Sequence, residues 1–266
     1  MEIFRITEAK TDQVPVLLSV PHCGLEFPDD LKEKFNSDLS QTPDDTDWFV
    51  DHLYDFAADL GITMISARLS RWVIDLNRDP KGKPLYSDGR LITALCPTNT
   101  FIGQPIYKDQ RSEVATDEIN SRLENYFWPY HHKISALLDQ MKNQFGKVLL
   151  WDCHSIRQSV PTIHGKKFPD LILGDADGTS ASPGLIEIAL KNLESSSYSV
   201  SRNYLFKGGY ITRHFGKPVE NQHALQLEMS KVNYMDDEEL RYDESRAAKM
   251  RIVLKRTLEK LLEWLC

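Results

Sequence analysis

The chain has 266 residues, 41% of them hydrophobic, and a formal net charge of −7 at pH 7. With no repeat, low-complexity tract or convincing linker, it suits one domain over residues 1–266, or two tightly joined ones, with a large core. The acidic balance disfavours nucleic acid or an anionic membrane as partner. No apolar run is long enough to cross a bilayer and the first ten residues do not resemble a secretory signal, so a cytoplasmic protein is expected.

In chain order, Val16–Pro21 is the first expected strand, followed by an irregular polar stretch. Asp44 to Gly61 predicts a helix, because Phe49, Leu53, Phe56 and Leu60 share one face, acids crowd the first turn and Gly61 stops it. Ile62–Ala67 and Trp72–Leu76 read as strands, and Asp79 to Tyr107 as a long loop of the kind that carries function. Helical spacing returns from Arg111 to Gln144, with Pro129 expected to kink or split it. Gly146 then precedes a short buried strand starting at Lys147, and a loop follows over Ser155–Phe168. Leu171–Leu173 is an apolar run, Pro183–Leu193 a helix, and Tyr198–Ser201 and Tyr210–Arg213 short strands around Lys207-Gly-Gly. His223–Met229 alternates like a strand, and a final amphipathic helix runs from Glu239 to Leu265. Strands alternating with helices predict an α/β fold, a three-layer α/β/α sandwich.

Two strands deliver a histidine at the tip. The run after Lys147 breaks off into Asp152-Cys-His-Ser155, and the run after Val14 into Pro21-His-Cys-Gly24. Open α/β sheets bind ligands at the carboxyl ends of their strands, so His22 and His154 are candidates to share a metal ion. Zinc in a hydrolytic site takes three protein ligands, histidines with one carboxylate, and keeps a position open for water. Glu26, four residues after His22, is one candidate carboxylate. Asp45 and Asp47 are the others, with helix capping as their alternative use. Glu228, ending an apolar strand, is placed to be the general base such hydrolysis needs. Cys23 and Cys153 adjoin the histidines, but neighbouring strand residues face opposite ways, so both thiols are expected behind the site. The same geometry weighs against a cysteine hydrolase built on Cys153 and His154. Four cysteines without CxxC spacing suit reduced thiols in the cytoplasm.

Several segments resemble the N-formylglutamate amidohydrolase (formylglutamate deformylase) family of bacterial histidine degradation. They are Ser19-Val-Pro-His-Cys-Gly24, Asp45-Thr-Asp-Trp48, Tyr54-Asp-Phe-Ala57, Ser70-Arg-Trp-Val-Ile-Asp-Leu-Asn-Arg78 and Pro84-Leu-Tyr86. Trp128-Pro-Tyr-His131, Asp152-Cys-His-Ser-Ile-Arg157, Phe206-Lys-Gly-Gly-Tyr-Ile-Thr-Arg-His214 and Leu225-Gln-Leu-Glu228 continue the series in family order. The family is similar in fold to zinc exopeptidases, which implies a mixed sheet within the α/β/α sandwich. The resemblance implies His22, Asp47 and His154 as zinc ligands, with Glu26 still open as the carboxylate, and Glu228 as the base. It likens Asn77-Arg78 to a pair that grips a substrate carboxylate or carbonyl.

The implied reaction is zinc-assisted hydrolysis of N-formyl-L-glutamate to formate and L-glutamate. Arg78 is expected to help stabilise the oxyanion. Arg78, Arg157 and Arg213 are the expected partners of the substrate's carboxylates, through bidentate pairing. His214 is a further substrate candidate, and His131 and His132 are expected to be structural. Rival readings are a deacylase for another N-acyl amino acid or small peptide, and a catalytically silent protein that binds an acidic amino acid. Acyl-group selectivity separates the first; the presence of both histidines and Glu228 weighs against the second.

Overall fold

The computed structural model describes residues 1–85 and 93–266. The middle of the expected Asp79–Tyr107 loop, and Tyr86 with it, lies outside the described residues. Nine consecutive buried residues, Val148–Ile156, form a central strand covered on both faces. In chain order the strands are β1 (Phe4–Thr7), β2 (Val16–Val20), β3 (Thr63–Ala67), β4 (Val148–Ile156), β5 (Leu171–Gly174), β6 (Val200–Arg202) and β7 (Gln222–Ser230). They make one mixed sheet in the order β1-β3-β2-β4-β7-β5-β6. β3, β2, β4 and β7 run parallel; β1 is antiparallel to β3, and β5 antiparallel to β7.

The helices are α1 (Asp29–Lys32), α2 (Ser37–Gln41), α3 (Val50–Leu53), α4 (Thr116–Arg122), α5 (Trp128–Phe145), α6 (Pro183–Glu194), α7 (Tyr210–Phe215) and α8 (Glu244–Leu265). They cover both faces of the sheet, completing the expected three layers. Leu18, Trp151 and Leu227 point into a core closed by α3, α6 and α8. Alternate residues, among them Leu17, Leu150 and Ala224, point into a second core under α5 and α7. On this second face the strands turn polar together. β4 goes from Leu150 to Asp152 and His154, and β7 from Ala224 to Gln226 and Glu228, with Asp152 paired to Gln226 and His154 to Glu228. Cys153 lies on the opposite face among apolar side chains, where the thiols were expected. No described helix is long and apolar enough to cross a membrane.

The local structure departs from expectation in four places. The Asp44–Gly61 helix is broken: Phe49 takes a left-handed φ of 61°, only Val50–Leu53 is α-helical, and Asp55–Leu60 is a 3₁₀ turn. Trp72–Leu76 is not a strand, because its backbone bonds go to loops and side chains. Asp75 N–H donates to the Leu95 carbonyl at 2.7 Å, and Arg122 Nη1 donates to the Val73 carbonyl at 2.8 Å. Tyr210–Arg213 lies in a helix whose start is capped from a distance by Asn77: the Ile211 N–H donates to its Oδ1 at 2.8 Å. Finally, Leu123–Phe127 widens into a π turn between α4 and α5, placing Pro129 in the first turn of α5, where a missing N–H is tolerated.

Candidate active site

The polar ends of β2, β4 and β7 meet the Asp44–Asp47 loop at the carboxyl edge of the parallel strands. The Asp47 N–H donates to the His22 carbonyl at 3.0 Å, which fixes this loop to the end of β2. Nδ1 of His154 lies 3.0 Å from Oδ2 of Asp47, and Nδ1 of His22 lies 3.6 Å from the same oxygen. One ligand atom from each of His22, Asp47 and His154 falls within 4.8 Å of the others, and all three residues are buried.

Each imidazole is held from its far side. His22 Nε2 lies 2.8 Å from Asp75 Oδ1, and His154 Nε2 lies 3.0 Å from Asp152 Oδ2. A carboxylate partner favours the ring proton on Nε2, the tautomer in which Nδ1 can serve a ligand. His22 Nδ1 is buried without a hydrogen-bond partner, a condition costing on the order of 1–3 kcal/mol. Two inward Nδ1 atoms beside a carboxylate, one of them without a partner, form a donor set that fits a divalent cation such as zinc.

The surrounding charges are ordered by burial and pairing. Burial alone would raise the Asp47 and Asp75 carboxyls; the two histidines beside Asp47, and Arg71 beside Asp75, outweigh it and hold both below the usual range. Arg71 Nη2 donates to Asp75 Oδ2 at 2.6 Å, and its guanidinium lies over the Phe101 ring at 4.9 Å. Asp45 anchors that ring by accepting the Phe101 N–H at 3.0 Å and Trp72 Nε1 at 3.0 Å. Glu228 behaves oppositely: burial, reinforced by the nearby Asp47 charge, pushes its carboxyl up to about 8.

Glu228 opens on a cavity of about 80 Å³ shared with the His22–Asp47–His154 group. Arg71, Arg78 and Gln226 are among its other polar lining, while Phe101, Ile156, Ile163 and Phe206 wall it. Arg78 donates to Thr93 through Nε at 3.1 Å and Nη2 at 2.9 Å. Asn77 also lines the cavity, with both ends of its amide engaged: Oδ1 caps α7, and Nδ2 lies 3.2 Å from Asp152 Oδ2. Only glycine fits above it, at Gly209, since a Cβ there would come within 2.4 Å of the Asn77 amide.

Besides Asp45, four candidates are not brought to the cavity. Glu26 is bound by Arg68 Nε at 2.9 Å. Arg157 joins Asp44, through Nε at 2.8 Å, to Glu239 at 3.3 Å, and so ties down the loop that carries Asp47. Arg213 and His214 sit on the exposed side of α7, where Arg213 Nε donates to the Gly208 carbonyl at 2.9 Å and His214 stacks on Tyr210 at 5.0 Å.

Residues 14–235 match the model of the N-formylglutamate amidohydrolase family. The chain belongs to that family. Among relatives of this amidohydrolase, the N-formylglutamate deformylase of Pseudomonas putida is 41% identical over 255 residues, 95% of this chain and 94% of that protein. The N-formylglutamate deformylase of Pseudomonas aeruginosa is 38% identical over 257 residues, 96% of this chain and 95% of that protein. The crystal structure of N-formylglutamate amidohydrolase from Ralstonia eutropha matches with a TM-score of 0.81 at 25% identity, over 100% of this chain and 99% of that one. A gene product from Agrobacterium tumefaciens shares the fold with a TM-score of 0.73 at 17% identity, over 98% and 96% of the two chains.

Sequence reasoning passed over three residues of this amidohydrolase's site. Arg71 and Asp75 stood inside a quoted motif, but Asp75 fell in the expected strand Trp72–Leu76, which hid its ion pair with Arg71 behind His22. Gln226 had a usable signal, because it shares a strand face with Glu228 two residues away.

Proposed function

We propose that this protein hydrolyses N-formyl-L-glutamate to formate and L-glutamate with a zinc ion held by His22, Asp47 and His154. The observation that carries the reading is the convergence of these three side chains with Glu228 on one cavity, His154 and Glu228 being register partners on adjacent strands. Membership of the family and the names of the Pseudomonas relatives support the substrate. The whole of residues 1–266 would act as one catalytic domain, in the cytoplasm, on a small anionic N-acyl amino acid, without nucleic acid or membrane.

When bound, zinc would supply Lewis acidity that lowers the pKa of a water molecule to about 7. Asp75 and Asp152 keep His22 and His154 in the tautomer that can hold the ion. Glu228 takes the proton from the attacking water as the new C–O bond forms at the formyl carbon. It returns that proton to the α-amine as the C–N bond breaks. A carboxyl shifted upward by burial is suited to both halves of that transfer near neutral pH. Arg78 binds the α-carboxylate or the carbonyl oxygen as negative charge develops, and Arg71 adds a fixed positive charge beside it. Asn77 holds α7, and with it Gly209, against the site. The apolar wall of Phe101, Ile156, Ile163 and Phe206 keeps bulk water from the reacting amide.

Formate release from N-formyl-L-glutamate, compared with acyl release from the N-acetyl and N-succinyl analogues, tests the assignment. The formyl substrate should be preferred by at least about tenfold, the lower range for discrimination by an apolar pocket. Absence of formate with zinc supplied, or a preference for a larger acyl group, would reject it.

A further inference from the structure

We propose that Gln226 is a specificity-determining residue that donates a hydrogen bond from Nε2 to the carboxylate at the end of the substrate's side chain. This rests on the assignment of an N-formyl amino acid as substrate. Gln226 is 4% exposed and lines the same cavity as Glu228. Its Oε1 accepts the Gly209 N–H at 2.8 Å. A backbone N–H can only donate, so this contact decides which end of the amide is oxygen and which is nitrogen. Nε2 is thereby turned to the other side, and it has no hydrogen-bond partner among the described residues. Gln226 lines the cavity, so a ligand there can provide the acceptor that this donor lacks among those residues.

The spacing selects the substrate atom. Gln226 and Glu228 lie two residues apart on one face of β7, about 6.5–7 Å along the strand. In an extended N-formylglutamate, the amide nitrogen and the side-chain carboxylate oxygens are roughly 5–6 Å apart, as bond lengths near 1.5 Å require. With Glu228 at the departing amine, the side chain running inward ends within hydrogen-bond reach of Gln226. Arg78, nearer solvent with 19% of its side chain exposed, is left for the α-carboxylate. One other use of Nε2 exists nearby: Asp152, the register partner of Gln226, has a buried Oδ1 without a partner. A bond to Asp152 would support the site for every substrate alike, and so it makes a different prediction.

The test compares N-formyl-L-glutamate with N-formyl-L-norvaline, which has the same side-chain carbons and no terminal oxygens. Gln226→Glu keeps the shape and the acceptor for Gly209 while removing the donor; Gln226→Met removes both polar ends and serves if the first variant does not fold. The ratio of kcat/KM for formylglutamate over formylnorvaline should fall about 10- to 100-fold in either variant, as for loss of a hydrogen bond to a charged group. In the same variants, calorimetric affinity for L-glutamate should fall by a similar factor relative to L-norvaline. An unchanged ratio, including one in which both substrates lose equally, overturns the proposal and leaves the function standing. A wild-type protein that neither hydrolyses formylglutamate nor binds glutamate overturns both.

Discussion

The substitution Asp75→Asn separates the stability of the site from its grip on a cation. Asp75 is fully buried and accepts three hydrogen bonds, from His22 Nε2 at 2.8 Å, Arg71 Nη2 at 2.6 Å and the Asn77 N–H at 2.9 Å. The substituted amide would keep the shape and one acceptor but no charge. Arg71, only 7% exposed, would retain Asp47 as a carboxylate neighbour at 3.8 Å. Removing one partner of a buried pair costs about 3–5 kcal/mol, and the surviving acceptor argues for the lower end, about 3 kcal/mol. Loss of the carboxylate that orients His22 should weaken metal binding by about 10- to 100-fold. Urea unfolding of the metal-free protein reads the first quantity, and competition against a chromophoric zinc chelator reads the second. If zinc affinity is unchanged while stability falls, Asp75 is only the counter-ion of Arg71 and the role given to it at His22 is wrong.

Three further substitutions probe the other corners. Glu228→Gln should keep fold and metal content yet lose about 10²- to 10⁴-fold in kcat for formate release; near-normal turnover would reject it as the base. His131 is buried, with Nε2 at 2.9 Å from the Leu76 carbonyl, and burial pushes its pKa down to about 3. The unfolded chain, with a His pKa of about 6.5, binds this proton first, so stability should fall as pH drops below about 6.5, by about 2 kcal/mol at pH 5. Urea midpoints for His131→Gln should show a flatter acid limb, and parallel curves for variant and wild type would contradict the assignment. Arg157→Ala should lower stability by about 1 kcal/mol, as expected for a half-exposed ion pair. It should leave KM for N-formyl-L-glutamate within about threefold, and a large rise in KM would return Arg157 to the substrate.

The sheet was legible because β4 opens on the apolar run Val148–Trp151 and His223–Met229 of β7 alternates, and the polar residues that follow or punctuate these patterns include His154 and Glu228. What the sequence hid was long-range capping. Tyr210-Ile-Thr-Arg213 has the composition of a strand, yet Asn77 caps it as a helix. Trp72–Leu76 is apolar enough for a strand, but its backbone is drawn to Leu95 and Arg122. The acids of Asp44–Asp47 looked like the first turn of a helix. Asp45 instead holds Phe101, and Asp47 turns towards the histidines. Arginines were hardest to place, because a guanidinium beside a substrate and one bracing a loop have the same sequence signature. Arg78 lines the cavity, whereas Arg157 is spent on Asp44 and Glu239.

Zinc titration into chelator-stripped protein, with formate release from N-formyl-L-glutamate as the readout, tests the central claim most directly. Activity should rise from near zero in proportion to added zinc and level off at about one ion per chain, as a three-ligand site with one open position requires. Full activity in verified metal-free protein would contradict the account.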